Sequence, residues 1–321
     1  MEFSHQSISL TLIDEQDASF RVSSQKPVEA LADNIQRFGI INPPILLSRH
    51  QRYVIISGFA RVAAVRRLAR ETISVRILPD DTPCMTCVQL AIVENNSQRE
   101  LNIIEQARAV HLLSNAVVEP NQLISAARDA GMTINRKLAA KLVQVYQMSA
   151  KLQEGIVSGA IALPVALRLH EMAAGDDAAA LTQLLLELNL SLNRQREIMD
   201  WLQVIAHRDH KPIAHLLNEE PLVHIRNHAQ LDRRQKSDQI RQYIKRCRYP
   251  EIVRTQLRYE ALAKQLSLPS DVQLIPPPHF EGNRYSLRMN FTTTDELHRL
   301  QRTISGLTDS PVLARLLDPF D

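Results

Sequence analysis

Tyr53-Val-Ile-Ile-Ser-Gly-Phe-Ala-Arg-Val-Ala-Ala-Val65 passes in a few residues from an unbroken apolar run to a helical pattern, with a glycine at the change. Tyr53 to Ile56 reads as a buried strand bounded by Gly58. Phe59 to Arg70 reads as an amphipathic helix, with Val62, Val65, Leu68 and Ala69 on one side and Arg66, Arg67 and Arg70 on the other. A further strand follows at Ile73 to Leu78. Upstream, the turn signal Asn42-Pro43 precedes a short strand at Pro44 to Ser48. Before that, a helix from Pro27 to Phe38 carries Val28, Leu31, Ile35 and Phe38 at helical spacing and is stopped by Gly39. Strands and helices in alternation predict an α/β unit.

Downstream the pattern becomes almost wholly helical. A helix over Cys87 to Glu94 leads to a polar cluster, Glu94 to Glu100, that predicts a loop. Helices are then expected at Ile103 to Val118, Asn121 to Ala130, Asn135 to Gln147, Ala150 to Ser158, Pro164 to Met172, Asn193 to Ile205 and Ile213 to Leu217. The segment from Gly175 to Leu192 is acidic or neutral. By contrast, Arg233 to Arg258 holds nine Lys or Arg against two acids, as a phosphate-facing surface requires, although a solvated helix face with mobile counterions has the same pattern. A long helix spans Tyr249 to Leu266, and after Pro276-Pro277-Pro278 the stretch Arg284 to Phe291 alternates as a half-buried strand. Thr293 with Glu296 opens a final helix as a capping box. So small a terminal unit buries little by itself, and pairing with a second copy is expected.

Composition agrees with a mostly helical α+β protein. It is 45% hydrophobic but only 4% aromatic, with 8 glycines in 321 residues, which favours aliphatic helix packing over an all-β architecture. No apolar run reaches the roughly 20 residues needed to span a bilayer, and the start lacks the order of a signal peptide, so the cytoplasm is expected. The formal charge of +3 is too small for a general polycation, which puts the weight on local basic clusters. Cys84 and Cys87 have zinc-ligand spacing without a second pair and are expected to be reduced thiols. His207, His210 and His215 are expected on the surface, and Trp201 in the core.

Three constellations carry chemistry. Gly131 lies between two helices with Ala126 and Ala127 in the first, the spacing of a helix-turn-helix. Thr133, Asn135, Arg136, Lys137, Lys141 and Gln144 then offer a DNA-facing surface, in which Arg and Gln suit base edges and Lys suits phosphate. The same pattern also suits an ordinary helical hairpin with solvated charges. Gly58 before a helix, with Arg61 one turn in, suits an anion, and equally suits plain turn chemistry. Glu94, Asn95, Gln98 and Arg99 offer oxygens for Mg2+, through Glu94 and Asn95, and polar groups for a nucleotide.

Taken in order, these pieces resemble the ParB family of DNA-partition proteins. Val28 to Pro44 is similar to the family's opening box, and Tyr53 to Val65 to its strand and G-E-R-R motif. Ala91 to Ala107 is similar to its E-N-x-x-R…L-N-P-I-E-x-A box, and the end of the chain to its dimerisation domain. The resemblance implies a ParB/sulfiredoxin-like α/β domain over 1–100, an all-α helix-turn-helix domain over 101–230, and over 231–321 a basic helical linker with a small ββα dimerisation unit. It also implies a homodimeric clamp on double-stranded DNA in the nucleoid, CTP with Mg2+ in the first domain, and a ParA-type partner ATPase. No membrane enters this picture.

The chain departs from the family pattern where the chemistry lies. G-E-R-R corresponds to Gly58, Phe59, Ala60 and Arg61, so the acid tied to CTP hydrolysis and the first arginine are absent. The arginine of E-N-x-x-R falls on Gln98, with Arg99 one place later. A phenylalanine cannot orient water, so no catalytic residue is assigned and a degenerate nucleotide site is expected. The alternatives are a helix-turn-helix transcription regulator without nucleotide switching, and an enzyme on a sulfiredoxin-like fold. Ala60 stands where a sulfiredoxin carries its cysteine, which speaks against the latter.

Overall fold

Five strands of the first hundred residues join in one mixed sheet. In the computed structural model, which describes residues 3–24, 27–117, 119–172, 175–280, 282 and 284–317, the chain opens with β1 (Ser4–Ser9) and β2 (Ile13–Asp14). Then come α1 (Glu29–Phe38), β3 (Ile45–Arg49), β4 (Arg52–Ser57), α2 (Phe59–Arg67) and β5 (Thr72–Leu78). The strand order is β1-β5-β3-β4-β2. β3 runs antiparallel to β4 and parallel to β5, β1 is antiparallel to β5, and β2 is parallel to β4. The central strands β3 and β4 are apolar without alternation because both faces are covered.

Ala32 and Ile35 of α1 and Phe59, Val62 and Val65 of α2 pack into the same core as Leu46, Ile55, Ile73 and Val75. The basic face of α2 is tied down rather than merely solvated. Arg66 pairs with Glu15 at 2.5 Å and donates to the Leu10 carbonyl, and Arg70 donates to the Ile35 carbonyl. α2 ends at Arg67, short of the expected Arg70, because Ala69 turns into the left-handed region at φ +53°. Phe38 is 66% exposed, outside the face its spacing predicts. The edge strands β1 and β2 were not anticipated. SHQSIS buries little besides Ile8, and β2 has two residues, so neither shows strand periodicity.

The expected loop at Glu94 to Glu100 is largely helix: α3 (Cys84–Gln98) starts earlier than predicted and runs through the polar run. The polar side chains there satisfy the helix instead of interrupting it. Asn95 Nδ2 donates to the Ala91 carbonyl, Ser97 Oγ to the Glu94 carbonyl, and Glu94 is held by tertiary partners. α4 (Ile103–Ala116) follows, opened by a reciprocal capping box between Asn102 and Glu105; the expected end of this helix, Val118, lies outside the described residues. Next come α5 (Leu123–Asp129), α6 (Arg136–Gln147), α7 (Ala150–Val157) and α8 (Leu163–Glu171). The acidic segment forms α9 (Asp176–Leu188), whose Asp176 and Asp177 suit the positive end of the helix dipole while Leu181, Leu184, Leu185 and Leu188 are buried.

α10 (Leu192–Asp209) carries the chain from the first of two compact units, residues 1–195, into the second, residues 196–321. The second unit continues with α11 (Ile213–Leu217), α12 (Glu220–Asn227), α13 (Arg233–Arg248) and α14 (Pro250–Gln265). The basic stretch is thus a helix pair. Asp232 and Gln235 cap α13, Ile240 and Ile244 anchor it, and Arg241 forks onto Glu197 at 2.6 and 2.9 Å while lying over the ring of Trp201. Trp201 is 8% exposed and belongs to the core.

β6 (Val272–Ile275) and β7 (Ser286–Met289) form an antiparallel ribbon, with α15 (Thr294–Thr308) and α16 (Pro311–Leu317) after it. The Thr293–Glu296 capping box is present. Leu262, Leu274 and Leu316 are the buried residues of a small core in this region, and Leu287 (40%) and Phe291 (50%) remain exposed. No helix among the described residues is long and apolar enough to cross a membrane.

Candidate functional site

Gly58 caps α2 at φ +102°, a conformation that L side chains rarely adopt, and a Cβ there would stand 2.6 Å from the Cβ of Pro44. The strand-to-helix turn is therefore built on close backbone approach, and the first residues of α2 line a cavity of about 860 Å³. Gly58, Arg61, Glu94, Asn95, Gln98 and Arg99, the six candidates for ligand contact, all line that cavity. Phe38 and Ile41 stand beside them, Ile41 with 88% of its surface exposed.

Glu94 is the hub. Its Oε1 accepts from Arg61 Nη2 at 2.7 Å, Gln98 Nε2 at 2.9 Å and Asn42 Nδ2 at 3.1 Å, and its Oε2 accepts from the Ser57 hydroxyl. Arg61 uses its other nitrogen on the Asn42 carbonyl at 2.6 Å. Asn42 is fixed in turn by Arg76, which donates to its Oδ1 at 3.1 Å. Arg61 and Glu94 are both largely buried, so the pair is a neutral, desolvated unit rather than an open cation beside an open anion.

Arg99 lines the cavity but spends its guanidinium elsewhere. Nη1 and Nη2 each donate to a different oxygen of Glu105 at 2.7 Å, a bidentate fork. The Glu105 side chain is fully buried. Burial pushes its carboxyl up. The Arg99 hydrogen bonds, the backbone N–H groups of Ser24 and Asn102 and the Arg99 charge outweigh that and hold it at about 2. Arg99 thereby fastens the start of α4 to the end of α3.

Phe59, where the family pattern has an acid, is a core residue at 8% exposure, and the guanidinium of Arg21 lies 4.9 Å above its ring. Burial first, and the charge of Arg108 second, push the Arg21 guanidinium down from its ordinary value. Its Nε is buried without a hydrogen-bond partner among the described residues.

The cradle of Gly58 and the α2 N-terminus suits a phosphate-bearing ligand, and the cavity has the size of a nucleotide site. A divalent cation at Glu94 and Asn95 does not fit this arrangement. Both Glu94 oxygens are engaged, and Mg2+ would have to displace several of their donors. Among the described residues no cluster of three His, Cys, Asp or Glu is placed to hold a metal ion. His207, His210 and His215 are exposed, as expected.

The helix pair α5–α6 forms the second candidate site. Gly131 takes φ +75° at the turn, and Asn96 Nδ2 of α3 donates to its carbonyl at 3.0 Å. Ala126 and Ala127 of α5 and Ala139, Leu142 and Val145 of α6 are buried. Thr133, Arg136, Lys137 and Lys141 are exposed, while Gln144 is half-buried. Lys137, Lys141 and Gln144 share one face at i, i+4 and i+7. Asn135 is exposed but works as the helix cap, its Oδ1 accepting from the Leu138 N–H at 2.8 Å.

Sequence reasoning missed Asn42, Ser57, Glu105 and Arg21. Of these only Glu105 had a readable signal, its place three residues after Asn102 in a capping box. The others depend on contacts from segments distant in the chain, chiefly α2 and α3.

Residues 3–96 match the ParB N-terminal domain. The chain is 32% identical over 85 residues to a probable chromosome-partitioning protein ParB of Campylobacter jejuni, covering 26% of this chain and 30% of that protein. It is 25% identical over 137 residues to a probable chromosome-partitioning protein ParB of Helicobacter pylori, covering 43% and 45%. The matches thus span less than half the length of either relative. The C-terminally truncated ParB of Caulobacter crescentus, complexed to the centromeric parS site, aligns with a TM-score of 0.35 at 18% identity over 60% of this chain and 97% of that one. The same protein complexed with CTP-gamma-S aligns with a TM-score of 0.27 at 20% identity, over 57% and 99%. Likenesses of that size say nothing of the ligands of this chain.

Proposed function

We propose that this chain, whose N-terminal domain belongs to the ParB family, is a homodimeric DNA-binding partition protein that grips the duplex with α6. The observation that carries the reading is the exposed cationic face of α6, with Arg136, Lys137 and Lys141 set behind a glycine turn that α3 braces through Asn96. In this reading the first turns of α6 enter the major groove. Arg136 reaches base edges, while Lys137, Lys141 and Thr133 hold phosphates. The half-buried Gln144 contributes less than its residue type suggests, and Asn135 serves by capping. The basic helix α13 adds sequence-independent attraction.

The N-terminal cavity takes a nucleotide by its phosphates, against Gly58 and the start of α2. CTP is the candidate that the family resemblance supplies. With Phe59 buried under Arg21 and Glu94 fully engaged, the cavity offers no acid to orient water and no open carboxylate for Mg2+, so it binds without turnover. Leu287 and Phe291 supply the apolar face through which two copies pair, and a ParA-type ATPase acts on the assembled protein at the nucleoid.

The test is selection of duplexes from a random pool, followed by fluorescence anisotropy of the enriched site. Lys137→Ala and Lys141→Ala should each weaken binding across sequences and lower the slope of log affinity against log salt by about 1. A pool that yields no enriched sequence, together with unchanged slopes in both variants, overturns the reading. Calorimetry with CTP, with and without Mg2+, should give the same weak affinity in both conditions.

A further inference from the structure

We infer that Cys84 and Cys87 are a redox-active thiol pair, with Cys84 as the exposed attacking group, Cys87 as the buried resolving group, and a low-molecular-weight disulfide as the oxidant. The pair lies outside the functions proposed above, and the expectation of reduced thiols leaves its geometry without a use.

α3 begins at Cys84, directly after Pro83, so the two cysteines occupy the first turn of a long helix. Three residues apart on an α-helix, their Cα atoms are about 5 Å apart, inside the range a disulfide spans. The two thiols differ in the one respect that dithiol exchange needs. Cys84 is exposed and Cys87 has no exposed surface, so an incoming disulfide reaches only the first. Burial pushes the Cys87 thiol up to about 11, the neighbouring Cys84 adds to the rise, and Arg49 opposes it. Cys87 is therefore the less nucleophilic of the two, which suits a resolving group over an attacking one. The alternative use of such spacing, a zinc site, lacks its second pair of ligands among the described residues.

The steps balance. The Cys84 thiolate, its proton lost to solvent, attacks one sulfur of glutathione disulfide, forming a mixed disulfide and releasing one glutathione thiolate. Cys87 then gives up its proton and attacks the Cys84 sulfur, releasing the second glutathione. The protein loses two hydrogens, and the small disulfide is reduced to two thiols.

Cys247, half-buried on α13, is an internal control, because it has no cysteine neighbour. The full chain is equilibrated in glutathione buffers of rising disulfide fraction, quenched in acid, alkylated and analysed by peptide mass. The expected result is loss of two hydrogens from the peptide holding Cys84 and Cys87, with Cys247 alkylated. Cys87→Ser should stop at a glutathione adduct on Cys84. Cys84→Ser should take up glutathione at least about tenfold more slowly, because Cys87 is shielded. The inference is overturned if the unaltered chain accumulates the mixed disulfide without closing it, or if Cys87 in the Cys84→Ser chain or Cys247 reacts as fast as Cys84. The unaltered chain decides the question even where a serine variant fails to fold.

Discussion

Replacing Arg99 by alanine should loosen the junction of α3 and α4, because it strips a fully buried carboxylate of its counter-ion. The Glu105 side chain has no exposed surface and receives two 2.7 Å bonds from the Arg99 guanidinium. Removing one partner of a buried pair costs about 3–5 kcal/mol. Arg99 is itself 39% exposed and the Ser24 and Asn102 N–H groups stay in place, which sets the loss nearer about 2–3 kcal/mol. The net depression of Glu105 from 4.5 to about 2, which remains after burial has opposed it, corresponds to about 3 kcal/mol.

The sign follows from linkage. A carboxyl depressed in the fold stabilises it fully above the ordinary carboxylate range and loses that contribution as pH falls through about 2. Hydrogen exchange across residues 84–116 at neutral pH should be accelerated roughly thirtyfold to a hundredfold in Arg99→Ala. In thermal unfolding, the gap to the unaltered chain should narrow as pH is lowered toward 2. Exchange no faster than in a Lys151→Ala control, or a gap that ignores pH, would refute the assignment of Arg99 as a staple. It would return Arg99 to the role of a ligand arm, in which its loss weakens nucleotide binding and leaves exchange alone.

Gly58→Ala should destabilise the N-terminal domain by about 2–4 kcal/mol, measured as a fall in thermal midpoint, since the positive φ and the 2.6 Å approach to Pro44 act together. Phe59→Ala should cost about 3–5 kcal/mol in the same assay, because it empties a core position and removes the ring under Arg21; an effect below about 1 kcal/mol would show that Phe59 does not pack as described. Phe291→Asp should raise the dimer dissociation constant by at least about thirtyfold in sedimentation equilibrium. A dimer unchanged by it would move the pairing surface away from β7.

The β4–Gly58–α2 passage was legible because burial on both strand faces and amphipathic helix periodicity are properties of the sequence itself. So were the helix pair around Gly131 and the cap at Thr293, where turn and cap chemistry is local. The polar run at 94–98 was not: Glu94 and Asn96 look like helix breakers until Arg61, Ser57 and the Gly131 carbonyl are brought to them by segments roughly 35 residues away. The same reason hides β1 and β2, whose pairing comes from β5 and β4 rather than from any apolar alternation. At the candidate site, residue types marked the cavity wall, but only the contacts separate Glu94, held by four donors, from Arg99, which is turned toward Glu105.

The sheet's two margins bear on how copies of this protein meet at high local concentration. Sheets aggregate through long, flat, apolar edges. Here one margin is a two-residue strand, and the other is Ser4-His5-Gln6-Ser7, exposed and polar along its length. Neither is the long apolar edge on which a second sheet most readily extends the ladder. In the proposed reading, pairing between copies is left to apolar surface elsewhere, with Leu287 and Phe291, both exposed, the first to examine.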